Sequence, residues 1–197
     1  MYECDPGDGV KRNFYVLTVK SDGVDLIMEK NISDSVGSAV TMTWNNAMKF
    51  FKTGAGSGIP TQWKNVQKID LPSAQAIADA VDNSSWIAAD SGSTWWCLGS
   101  HNQDQPSGPL YCPSNANQQK YAWLFNYTRG CESSGCSNEY SDTDGYPYGY
   151  WTRDVVVGTS RAWIVNWDGS LNYNPVSLPP NDGVRPVITV SKSNLSN

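Results

Sequence analysis

The feature that most constrains this fold is the run Arg161-Ala-Trp-Ile-Val-Asn-Trp167 followed at once by Asp168-Gly169. Large, β-favouring residues running into an Asp-Gly pair are the strongest short-range hairpin signal a sequence carries, because that pair accepts the positive φ of a tight turn. Leu171 and Tyr173 open the returning arm. An Asn/Pro/Ser connection from Asn174 to Gly183 then leads to Val184-Arg-Pro-Val-Ile-Thr-Val190, a β-branched run that reads as a closing strand. Strands that frame polar loops are a scaffold for recognition.

The preceding chain supplies elements for that scaffold to pack on. Phe14–Lys20 and Val24–Glu29 flank Ser21-Asp22-Gly23 and read as a hairpin. In Thr41–Phe51, Trp44, Ala47, Met48 and Phe51 recur at helical spacing, with Thr41 or Thr43 as cap. Thr53-Gly-Ala-Gly-Ser-Gly58 ends that helix, since glycine is costly in a helix interior. A second helix is expected over Leu71–Val81, capped by Ser73 and buried along Ala74, Ile77, Ala78 and Val81. From Asp82 to Asp144, Trp, Gly, Ser, Asn and Pro dominate, and a long excursion of loops and short strands is expected. The whole, 1–197, reads as one domain, with 1–13 as the remnant of an upstream linker or anchor.

With only 17% charged residues, much of the surface must be Ser, Asn, Thr and Gly, which suits a secreted or surface-displayed protein. A net charge of -5 and the lack of any Lys/Arg cluster argue against nucleic-acid and anionic-membrane partners. No apolar run of about 18 residues exists, so no direct membrane insertion by a helix is expected. The first residues have neither the basic start nor the apolar centre of a signal peptide, so the export or anchoring element is expected upstream.

The spacing of Cys97 and Cys112, and of Cys131 and Cys136, favours two local disulfides in an oxidising compartment, with Cys4 left over. Metal binding is the rival, but no CxxC occurs and His101 is the only histidine. Tyr146, Tyr148, Tyr150 and Trp151, spaced by Gly and Pro, form either an aromatic platform for a ligand or the lid of a small core. Asp142-Thr-Asp144-Gly145 misses the EF-hand pattern and reads as a solvated turn. No nucleophile elbow, phosphate loop or metal-ligand pair is present, so the chain is not expected to be an enzyme and needs no cofactor.

Hairpin, helix, helix, long loop region, hairpin and closing strand is an order shared with a known family. Trp44-Asn-Asn-Ala47 resembles the start of the first helix in C-type lectin-like domains, and Leu71-Pro72-Ser73 the entry to the second helix in the branch shared with formylglycine-generating enzymes. Tyr150-Trp151-Thr152, Ala162-Trp-Ile-Val-Asn166, Asp168-Gly169 and Gly183-Val-Arg-Pro-Val187 are similar to the tail motifs of retroelement-diversified variable proteins and of bacterial surface and pilin-associated proteins.

The resemblance implies an α+β, C-type lectin-like fold: two helices on small antiparallel sheets with long disulfide-pinned loops. It implies ligand contacts from exposed, exchangeable residues at Arg153, Asp154, Val155, Val157, Ser160, Arg161, Ile164, Asn166, Asp168, Tyr173 and Asn174, joined by Tyr148 of the aromatic cluster. Trp151, Trp163, Gly169 and Arg185 would be scaffold. Between Tyr140 and Ser191 there is no Lys, Glu, Gln or Met, four of the residues that, with Trp, adenine diversification of AAY codons does not yield. Gln105-Pro106-Ser107 and Asn166-Trp167-Asp168, the latter with its order altered, are similar to the calcium-dependent sugar site of C-type lectins, with Ser107 replacing the expected acid or amide. The implied function is recognition or adhesion toward a protein or glycan on another surface. The alternative is the globular head of a pilin-like structural subunit.

Overall fold

The computed structural model describes residues 1–32, 42–51, 63, 66–80, 96–97, 122–124, 149–166, 170–177 and 182–194. These form an α+β arrangement of two antiparallel sheets and two short helices. In the five-stranded sheet the order is β1 (Tyr2–Cys4), β2 (Arg12–Val19), β3 (Gly23–Met28), β9 (Val187–Ser191) and β4 (Lys68–Asp70). In the four-stranded sheet it is β5 (Trp96–Cys97), β8 (Ser170–Pro175), β7 (Arg161–Asn166) and β6 (Gly149–Val155). The closing strand starts at Val187, three residues later than expected. Pro186 has no N–H to give a ladder, although its carbonyl accepts from Met28 N at 2.9 Å.

The N-terminal residues expected as a linker remnant contribute an edge strand, with Tyr2 opposite Phe14. Between β2 and β3 the register shifts between Val16 and Thr18. Phe14 and Leu17, an odd number apart on β2, enter different core clusters, as the alternation of a strand requires.

Helix α1 (Trp44–Phe50) is capped by Thr43, whose hydroxyl accepts from Asn46 N, and it buries Ala47. Helix α2 (Ala74–Ala80) buries Ala74, Ile77 and Ala78. Small residues on that stripe let the helix lie close to β2 and β6, and it shares one core cluster with Leu17, Ile27, Tyr150, Trp163, Val165 and Leu171. The second cluster holds Phe14, Leu26, Trp63, Leu71, Trp151, Ala162, Ile164 and Ile188. Strand β7 therefore feeds both cores. Trp163 and Val165 enter one, Ala162 and Ile164 the other, following the period-2 alternation of a strand.

Candidate functional site

The candidate face is the projecting end of the β6–β7–β8 sheet, and its geometry starts from a disturbance in β6. Register between β6 and β7 shifts between Trp151 and Val155. Within that shift, Arg153 N donates to Pro72 O at 3.0 Å, and the Thr152 hydroxyl donates to Trp163 O at 2.9 Å. Arg153 is exposed as a result, and Val155 reaches 46% exposure.

Past β6 the chain turns tightly. Val156 N donates to Arg161 O at 2.9 Å, and Thr159 donates to Val156 O through both its N–H and its hydroxyl. Gly158 holds φ +74 in the middle of this turn, a conformation that disfavours a side chain although nothing lies within 4 Å of where its Cβ would be. Val157 at 57% exposure, Ser160 and Arg161 stand on the outside.

The base of the turn is anchored by a stacked series. Trp163 lies opposite Tyr173 across the β7–β8 ladder, buried itself, and meets that ring edge-on at 5.8 Å between centres. The Arg161 guanidinium carbon sits 5.0 Å from the centre of the same Tyr173 ring. Aromatic and cation–π contacts of this kind contribute about 0.5–1.5 kcal/mol each and, more importantly here, fix where the guanidinium stands. Val155 lies opposite Ala162, on the other side of the sheet from the Arg161–Tyr173 pair. The tip thus offers two valines, a serine and a positioned arginine on a short projecting turn.

The implied contact residues separate into groups. Arg153, Val155, Val157, Ser160 and Arg161 are exposed, and Tyr173 is half-buried beneath Arg161. Ile164 is a correction: at 1% exposure it belongs to the core. The expectation of an exposed Ile164 presumes one wet face for β7, whereas both faces are covered. Asn174 points inward, its amide donating to Asp182 Oδ2 at 3.0 Å. Asn166 lies on β7 opposite Gly149, and nothing is described of its side chain. Tyr148 and Asp168 lie outside the described residues, as do Gln105, Pro106, Ser107, Cys112, Cys131 and Cys136. Cys97 is described only as a residue of β5, and Cys4 is a free, half-buried thiol whose pKa is raised, chiefly by burial. Among the described residues, no three of His, Cys, Asp and Glu gather into a metal-holding group.

Asp154 has a structural task as well as an implied contact. Its Oδ2 accepts from Ala74 N at 2.6 Å, while the Ser73 hydroxyl accepts from Ala76 N at 3.4 Å, so β6 and the preceding residue together cap α2. Asp154→Ala is expected to cost about 1–2 kcal/mol through loss of a cap. Thermal unfolding would then show a drop of roughly 2–8 °C, and an unchanged midpoint would reduce Asp154 to a surface residue.

Three residues of the tail, Tyr150, Trp151 and Arg185, make the support beneath the face. Arg185 is fully buried, donates to the carbonyls of Trp123 and Leu124 at 3.1 and 3.0 Å, and stacks on Tyr150 with its guanidinium carbon 4.5 Å from the ring centre. Burial lowers its pKa. Tyr150 is also fully buried, donates to Leu124 O at 2.6 Å, and is pushed up to about 12 by loss of solvent, so it stays neutral. Trp151 donates from its indole nitrogen to Met42 O at 2.8 Å. Tyr150 and Trp151 are therefore core rather than platform.

Two cavities carry polar groups that the sequence does not announce. One of about 240 Å³ adjoins Arg153 and is lined also by Lys68, Asp70, Ser73 and Asp79. Arg153 Nη1 stands 3.5 Å from Asp70 Oδ2, which Lys68 approaches to 2.9 Å. The other, of about 390 Å³, lies at the far end of the larger sheet among Glu3, Lys11, Arg12, Glu29 and Trp63. Arg12 is committed there to Asp8 by two contacts of 2.8 Å. Residues on separate strands converge at both places, a pairing that no local spacing signals. No family model, curated protein or solved structure matches the chain. Among the described residues no helix is long and apolar enough to cross a membrane.

Proposed function

We propose that this chain is an extracellular, surface-displayed recognition or adhesion module with a C-type lectin-like fold, which binds a protein or glycan through the β6–β7 turn and the adjoining Tyr173. It works by contact rather than by chemistry. One observation carries the reading: exposed Val155, Val157, Ser160 and Arg161 stand on a hairpin whose base, Trp151, Ala162, Trp163 and Ile164, is buried to 1% exposure or less. Single exposed valines are ordinary. Two at one end of a hairpin, Val155 closing β6 and Val157 on the turn, with an arginine held over a tyrosine ring on the opposite side of the sheet, put apolar area and a fixed charge at the same hairpin end, the mixture that protein interfaces favour.

A rigid base with an exchangeable tip is also the arrangement that retroelement diversification of Arg153, Val155, Val157, Ser160 and Arg161 would exploit. The test is an array of glycans and cell-surface proteins probed with the wild-type chain and with an Arg161→Ala, Val157→Ser variant. At least one probe is expected to bind wild type and to lose about tenfold or more with the variant. Equal binding by both proteins to every captured probe would move the site elsewhere.

A further inference from the structure

Asp182 lies where three parts of the chain meet. Its main-chain oxygen accepts from Met42 N at 3.2 Å. Its neighbour Gly183 is clasped to β6 in both directions, donating to Gly149 O at 2.9 Å and accepting from Trp151 N at 3.1 Å. Its side-chain Oδ2 accepts from Asn174 on β8. The residue has no exposed surface, and among the described residues Oδ1 has no hydrogen-bond partner. An ionised carboxylate offers about four acceptor positions, and only one is filled by a side chain here.

Among the described residues, the surroundings supply no compensating charge. Strand β8 contributes the neutral amide of Asn174, while β6 and the stretch before α1 contribute main-chain groups. Arg185, three residues along, is turned to the carbonyls of Trp123 and Leu124 and to the Tyr150 ring. Among the described residues no charged side chain bonds to Asp182.

We infer that the sealed Asp182 site is a pH-sensitive latch on the contact face: neutral Asp182 stays closed in beneath β8, with Tyr173 held against the body of the protein, and ionised Asp182, whose buried Oδ1 then calls for water, loosens β8 although its Asn174 bond alone would favour the charge. This regulation rests on the reading of Arg161 and Tyr173 as contact residues. Burial pushes the Asp182 carboxyl up to about 6, with the Asn174 hydrogen bond acting in the opposite direction. Because the folded value lies above the ordinary 3.8, the stability contributed by the neutral form is complete below about pH 4 and is lost as pH rises through about 6. The charged form gains by admitting water to Oδ1, and water enters most simply if β8 moves away from Asp182.

Hydrogen exchange at the β8 end tests this without any ligand, so failure of the latch and failure of the contact-face reading are separate results. After correction for intrinsic rates, protection of the Val176 amide, which bonds Ser160 O at 3.1 Å, is expected to fall roughly tenfold between about pH 5 and pH 8. In Asp182→Asn, which never ionises, it is expected to stay level. Equal protection at both pH values in wild type, or the same fall in Asp182→Asn, would overturn the latch.

Discussion

Trp163→Ala is expected to destabilise the protein by about 3–5 kcal/mol, the range for truncating a buried large aromatic. Trp163 has no exposed surface and packs in the cluster with Ala74, Ile77, Tyr150, Val165 and Leu171. Its removal opens a cavity between α2 and β7, and it also takes away the ring that meets Tyr173 edge-on. Two effects follow from one substitution: a lower melting temperature, by on the order of 10 °C, and a Tyr173–Arg161 pair no longer held in place. Trp163→Phe keeps most of the volume and is expected to cost less. A melting curve barely shifted by Trp163→Ala would mean that β7 does not lie between the two cores.

The second large effect concerns binding, and it is expected to cost much less stability than Trp163→Ala. Replacing Arg153 and Arg161 by Ala, together with Val157→Ser, removes two exposed cations and the most exposed valine of the tip. Exposed substitutions of this kind usually change stability by no more than about 0.5 kcal/mol each, and losing the Arg161 contact on Tyr173 adds about 0.5–1 kcal/mol, small beside the expected loss of binding. Tyr173 is left in place because its ring packs on Trp163, so truncating it would mix a folding effect with a binding one. Loss of a positioned arginine at the centre of a contact commonly costs at least 2 kcal/mol, about thirtyfold in affinity. Ligand captured from the array should therefore dissociate from the triple variant at least thirtyfold more readily at equilibrium. Unchanged affinity with an intact melting curve would remove this tip from the account.

Much of the frame is legible because its signals are local. The β2–β3 hairpin follows from Ser21-Asp22-Gly23 between two apolar runs, and Thr43 caps α1 as its spacing to Asn46 allows. The stripe Ala74, Ile77, Ala78 is buried as its helical period requires. The pairing of β7 with β8 follows from the Asp168-Gly169 signal, although the turn itself lies outside the described residues. Strands β1 and β4 are three residues long and carry too little pattern to be read; only their ladders with β2 and β9 define them.

The candidate site was legible only where exposure follows alternation. Ile164 fails because a strand covered on both faces has no outward set, and nothing within β7 reports the second core. Asn174 and Asp154 look like surface polar residues in sequence. Their partners, Asp182 and the start of α2, reach them only through the tertiary fold. Arg185 reads as scaffold from its motif, but its acceptors at Trp123 and Leu124 are some 60 positions away, beyond any local rule.

The central claim, a stiff base carrying an exchangeable contact surface, is tested most directly by saturation mutagenesis on a display platform, scored for folding alone. Arg153, Val155, Val157, Ser160 and Arg161 are expected to accept most side chains at wild-type display levels, while Trp151, Trp163, Ile164 and Arg185 accept very few. A profile in which the turn is as intolerant as the base, or Ile164 and Arg185 vary as freely as Val157, would contradict the account.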